Sequence, residues 1–115
     1  MRPSRAEVLQ GTLDLLVLKT LETIGPMHGF GIAQRIRQIS GEVFDIPQGS
    51  LYPALYRLER QALIAAEWGQ SENNRRAKYY TLTTAGRSRL REETAGWNRL
   101  ASGIASALNT RPEEV

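Results

Sequence analysis

The chain has 115 residues, 41% hydrophobic and 23% charged, a composition suited to one soluble globular domain with a modest core. It contains no cysteine, which excludes a disulfide framework, a thiolate zinc site and a cysteine nucleophile. The net charge of +3 is compatible with a polyanionic partner, and no apolar run approaches the roughly 18 residues a membrane helix needs.

Residues 1–8 are polar and expected to be loose. No secretory cleavage pattern follows Met1, so the expected compartment is the cytosol. Thr12 to Ile24 is the densest apolar segment, with Leu13, Leu15, Leu16, Val17, Leu18, Leu21 and Ile24, and Gly25-Pro26 ends it as a helix. Its apolar positions exceed one stripe, so part of this surface, including Leu13 and Leu16, is expected to face a second copy of the chain. His28 to Gly31 leads into a second helix from Ile32 to Ser40, with Ile32, Ala33, Ile36 and Ile39 inward and Gly41 as its stop. His28, the only histidine, has three readings: a cap, a packing residue or a phosphate contact. Val43 to Ile46 reads as a short strand or simply extended chain.

Pro47-Gln48-Gly49 then turns into the stretch around which the chain is organised, Gly49 to Ile64. Leu51, Leu55, Leu58 and Ala62 recur at steps of four, three and four and form an apolar stripe. Tyr52, Pro53, Tyr56, Arg57 and Arg60 fall on the other side, with two guanidiniums and no acid among the five. Ser50 is expected to cap this third helix, which leaves Pro53 in the first turn, where its missing N–H breaks no bond. Such a face suits a polyanion, and equally an ordinary solvated helix surface.

Leu63 to Trp68 alternates, Ala77 to Thr83 is rich in aromatic and β-branched residues, and the polar run from Gly69 to Arg76 joins them. This reads as a β-hairpin with a long tip and with Trp68 in its core. Thr83-Thr84 offers a cap for a last helix from Ala85 to Leu108, in which the step from Leu90 to Trp97 to Ile104 hints at a coiled-coil seam. Three helices, a hairpin and a helix give a mainly α fold with a small β-wing, a winged helix-turn-helix. In that arrangement the third helix enters the major groove and the wing meets adjacent backbone. Tyrosine hydroxyls and guanidiniums are ready donors to phosphates, and an arginine at a base edge prefers guanine.

The motifs Gly49-Ser50-Leu51-Tyr52-Pro53-Ala54-Leu55, Arg57-Leu58-Glu59 and Arg75-Arg76-Ala77-Lys78-Tyr79-Tyr80-Thr81-Leu82-Thr83, with Gly86 after them, resemble the PadR transcriptional regulators. Gly11-Thr12-Leu13-Asp14 and Pro26-Met27-His28-Gly29-Phe30 match the same pattern upstream, so the resemblance runs from about Leu9 to Leu100. It implies a homodimeric DNA-binding repressor: a winged-helix domain over residues 9–84 and a dimerisation helix over residues 85–108. Double-stranded DNA would be held by Gln48, Ser50, Tyr52, Pro53, Tyr56, Arg57, Arg60, Arg75, Arg76 and Lys78. Dimerisation would fall to Leu13, Leu16, Trp97, Leu100, Ala101, Ile104 and Leu108. Some members bind planar aromatic effectors between tryptophans at the dimer centre. Trp97 matches that position, and its alternative is simple packing in the seam. Where the family usually has glycine before Leu63-Ile64, this chain has Ala62, which disfavours a left-handed helix end there.

Neither a catalyst nor a cofactor is expected. The acids show no paired constellation, the histidine stands alone, and nothing matches a phosphate loop or a metal site. A winged-helix protein-interaction module without DNA binding is the alternative function.

Overall fold

Gly25 and Gly41, both at positive φ, end the first two helices and let the chain fold back on itself. The computed structural model describes residues 5–114. In chain order the elements are α1 (Arg5–Ile24), β1 (Met27–His28), α2 (Gly29–Ile39), α3 (Gln48–Arg60), β2 (Ile64–Gln70), β3 (Arg76–Leu82) and α4 (Thr84–Leu108), followed by one 3-10 turn, Pro112–Glu114. The expected order of three helices, a hairpin and a helix is borne out. The strands form one antiparallel sheet in the order β1-β3-β2.

The core lies where α1, α2, α3 and the inner end of the sheet meet. Val17, Leu18 and Leu21 of α1 pack there with Ile32 and Ile36 of α2 and Leu51, Ala54, Leu55 and Leu58 of α3. Leu63, Ile64 and Tyr80 close it from the hairpin, and Leu90 anchors the start of α4. The α3 stripe therefore runs through Ala54. Ala62, expected on it, lies past the helix end and is exposed.

Several boundaries differ from the sequence expectation. Of the stretch expected to be loose, residues 5–8 belong to α1, and residues 1–4 lie outside the described residues. Helix α2 starts earlier than expected because His28 caps it: Nδ1 accepts from the Gly31 N–H at 3.1 Å. Helix α3 starts at Gln48 with Pro47 as its N-cap and no side-chain cap bond. Ser50 is consequently a first-turn residue and not the cap; its own N–H donates to the Pro47 carbonyl at 3.0 Å. Pro53 falls beyond the first turn, inside the helix. Val43 to Ile46 is not a strand.

The hairpin strands extend further than their alternation indicated, from the Ile64–Leu82 pair out to Gln70–Arg76. The tip shrinks to residues 71–75, closed by Ser71 N–H to the Arg75 carbonyl at 2.8 Å and by Asn74 at φ 58°. Two residues of β1 add a third strand, Met27 opposite Tyr80 and His28 opposite Tyr79. Thr83 caps α4 as expected, its Oγ1 accepting from the Gly86 N–H at 3.0 Å.

Helix α4 departs from the rest. Its buried residues are Gly86 and Leu90, both in the first two turns. From residue 91 to 108 Ala101 alone is partly covered and the others are exposed. The molecule is 63 Å long but only 31 and 22 Å across, as a projecting helix of this length requires. No helix among the described residues is long and apolar enough to cross a membrane.

Candidate nucleic-acid interface

Burying Leu51, Ala54, Leu55 and Leu58 forces the opposite side of α3 outward. That side carries Tyr52 and Tyr56, 44% and 62% exposed, with Gln48, Pro53 and Arg60 also in solvent. Arg60 lies over the Tyr56 ring at 5.7 Å, one helical turn on. Tyr52 leans against the start of α2. A β-carbon at Gly29 would lie 2.8 Å from its ring, so Gly29 leaves room for it. The amino-terminal end of α2, positive by its dipole, therefore adjoins the Tyr52 hydroxyl.

Beside this surface a cleft of about 920 Å³ lies between α2 and the hairpin, lined by Phe30 and Arg35 of α2 and Tyr52 of α3 on the helical side and by Trp68, Arg75, Arg76 and Lys78 on the wing. Arg75 and Arg76 are exposed at the outer end. Trp68, expected in the hairpin core, is 59% exposed instead. Its side of the sheet leaves the helical body as the hairpin extends, and the Arg76 guanidinium covers its ring at 4.6 Å. The stack holds a long cationic side chain flat on a rigid aromatic.

Two of the ten predicted contact residues are committed within the protein. Arg57 is half-buried, and its Nη2 donates to Asp14 Oδ1 of α1. Lys78 is 35% exposed, and its Nζ donates to Glu59 Oε1 at 2.9 Å. That hydrogen bond raises the Lys78 pKa above the ordinary lysine value, with partial burial opposing it. Both cations brace α3, one against α1 and one against the wing. Ser50 is partly buried. The structure gathers Gln48, Tyr52, Pro53, Tyr56 and Arg60 on one helix face and Arg75 and Arg76 on the wing.

Phe30, Arg35 and Trp68 share this cleft, and sequence reading did not assign them to the site. Phe30 is 60% exposed in the first turn of α2. The overlooked signal was that Phe30 falls outside the Ile32, Ile36 stripe.

The predicted dimerisation residues divide. Leu13 is 4% exposed and belongs to the protomer's own core, because α2, α3, α4 and β3 surround α1 more fully than its short chain led one to expect. Leu16 is partly buried against the same core. Trp97, Leu100, Ile104 and Leu108 are 46%, 55%, 49% and 80% exposed along α4, with Ala101 half-covered between them.

Comparison with known proteins returns one sequence family, the transcriptional regulator PadR-like family, whose profile matches residues 17–92. Among solved structures, a transcriptional regulator from Clostridium thermocellum superposes with a TM-score of 0.77 at 26% identity, over 90% of this chain and 99% of that one. A PadR family transcriptional regulator from Eggerthella lenta gives a TM-score of 0.75 at 34% identity, over 91% and 88%. An uncharacterised protein of Lysinibacillus sphaericus is 29% identical over 93 residues, 81% of this chain and 84% of that one.

Proposed function

Because the chain belongs to the transcriptional regulator PadR-like family, we propose that it is a repressor that binds operator DNA as a homodimer in the cytoplasm. The observation that carries this reading is the pair of exposed surfaces the fold presents, the Tyr52, Tyr56 and Arg60 face of α3 and the Arg75 and Arg76 end of the wing. The exposed face of α3, with Tyr52, Tyr56 and Arg60, enters the major groove, and Arg75 and Arg76 of the wing reach the flanking backbone. Most of the affinity comes from phosphate neutralisation, and an arginine on α3 supplies base discrimination. Arg57 and Lys78 support this surface through Asp14 and Glu59.

The unpartnered stripe of α4 is the dimer seam. On one protomer Trp97, Leu100, Ile104 and Leu108 expose large apolar side chains along one helix, and a second copy covers them through a two-fold axis. That axis brings the two copies of Trp97 together and gives a planar aromatic effector two stacking walls. Binding there shifts the spacing of the two α3 helices and releases the operator.

The test is DNA selection with the purified protein, followed by a salt titration. Replacing Arg75 and Arg76 with alanine is expected to weaken binding to every duplex and lower the salt slope by roughly one per lost phosphate contact. A folded wild-type protein with no salt-dependent retention on duplex DNA would instead be a winged-helix protein-interaction module.

A further inference from the structure

Glu59 is an acid on the helix that the DNA-binding reading turns toward phosphates, where an unpaired carboxylate repels the ligand. It is not unpaired: its Oε1 accepts from Lys78 Nζ at 2.9 Å, and the two side chains are 33% and 35% exposed. The bond joins the last turn of α3 to the middle of β3. Its place in the sheet register gives it leverage. Strand β1 pairs with β3 at Tyr79 and Tyr80, so Lys78 is the next residue outward. Beyond it the hairpin strands pair with each other, Gly69 with Ala77 and Gln70 with Arg76, and this outer part carries Arg75 and Arg76.

We propose that Glu59 and Lys78 are a positioning pair that sets the angle between the wing and α3, and with it the distance between the α3 contacts and Arg75 and Arg76. The inference rests on the DNA-binding reading and assigns Lys78 a role through Glu59, not through a phosphate. Long-range charge alone makes the opposite prediction for Glu59. Removing a carboxylate raises the net positive charge and would tighten binding to a polyanion, whereas loss of a positioning pair loosens the wing and weakens it.

Three variants separate these outcomes: Glu59→Gln, Lys78→Met, and the charge swap Glu59→Lys with Lys78→Glu, which leaves the net charge unchanged. Amide hydrogen exchange of the DNA-free protein reads the wing directly. Each single variant is expected to speed exchange at residues 69–77 and leave residues 54–58 of α3 unchanged. With a random-sequence duplex of about 30 base pairs, long enough for two half-sites one turn apart, each single variant is expected to bind about threefold more weakly, the scale of a part-exposed ion pair. The salt slope is expected to stay that of the wild type, and the swap to restore both exchange and affinity.

The proposal is overturned if Glu59→Gln tightens binding while Lys78→Met lowers the salt slope by about 0.9, the signature of a lost phosphate contact. Unchanged wing exchange in the single variants overturns it equally. If the swapped protein does not fold, the two near-isosteric single variants still decide. If the wild type shows no salt-dependent binding, the DNA-binding reading fails, and wing exchange alone decides whether the pair holds the wing.

Discussion

Gly86 sits where a β-carbon would collide with the backbone carbonyl oxygen of Leu63. That carbonyl also accepts the Thr83 N–H at 3.2 Å, and Thr83 Oγ1 donates to the Ala62 carbonyl at 2.7 Å. The start of α4 is thereby locked to the α3–β2 corner. Gly86→Ala is expected to destabilise the protein by about 1–3 kcal/mol, the usual cost of overpacking, despite alanine's better helix propensity. The urea midpoint measures it; an unchanged midpoint would show that the corner yields freely.

Ala62 adopts φ 60°, contrary to the expectation that alanine would disfavour a left-handed end to α3. Two hydrogen bonds explain it: Ala62 N–H to the Glu59 carbonyl at 2.9 Å and Leu63 N–H to the Leu58 carbonyl at 3.0 Å. They close the helix in the Schellman manner, and burial of Leu63 and Ile64 holds the corner in place. Ala62→Gly is expected to stabilise by roughly 0.5–1 kcal/mol through relief of Cβ strain, less the entropy glycine gains when unfolded. A higher urea midpoint at constant slope is the expected result.

Trp68 tests the difference between a core and a surface tryptophan. A buried tryptophan costs about 3–5 kcal/mol when cut to alanine. Trp68, exposed beneath Arg76, is expected to cost less than about 1 kcal/mol, the scale of an exposed cation–π contact. Thermal unfolding of Trp68→Ala separates the two, and DNA affinity in the same variant is expected to fall as Arg76 loses its platform.

For the seam, Ile104→Glu places a charge in the middle of the exposed α4 stripe, away from the core. Sedimentation equilibrium of the wild type is expected to give twice the 12.9 kDa chain mass, and that of the variant a shift toward one chain. A wild-type monomer at micromolar concentration would rule out the seam.

Two groups tie stability to alkaline pH. The hydrogen bond to Glu59 holds the Lys78 ammonium above its ordinary value of 10.5, and burial holds the Tyr80 phenol above 10.0. Both bind their proton more tightly folded than unfolded, so their contribution is intact below about pH 10 and is lost as pH rises through the folded values. The Lys78 share is small, about 0.2–1 kcal/mol, because water screens the pair. Urea midpoints between about pH 9 and 11 are expected to fall less steeply in Glu59→Gln and in Tyr80→Phe.

Much of the candidate interface's geometry was legible because it depends on neighbours in sequence. The period of Leu51, Leu55 and Leu58 puts Tyr52, Tyr56 and Arg60 outside whatever the helix packs on, and the hairpin signal carries Arg75 and Arg76 out with it. Boundaries were less legible. Strand β1 has two residues, too few for any period, and exists because β3 offers it a free edge.

By itself, the sequence determined the order of elements, the buried stripe of α3 and the cap of α4, since each is encoded within a few residues of backbone. Tertiary structure alone decided that Arg57 turns to Asp14, that Lys78 turns to Glu59, that Leu13 is enclosed by its own chain, and that Trp68 stands in solvent. The physical reason is range. Arg57 and Asp14 are 43 residues apart and Lys78 and Glu59 are 19 apart, so a cation's partner is fixed only once packing brings distant segments together.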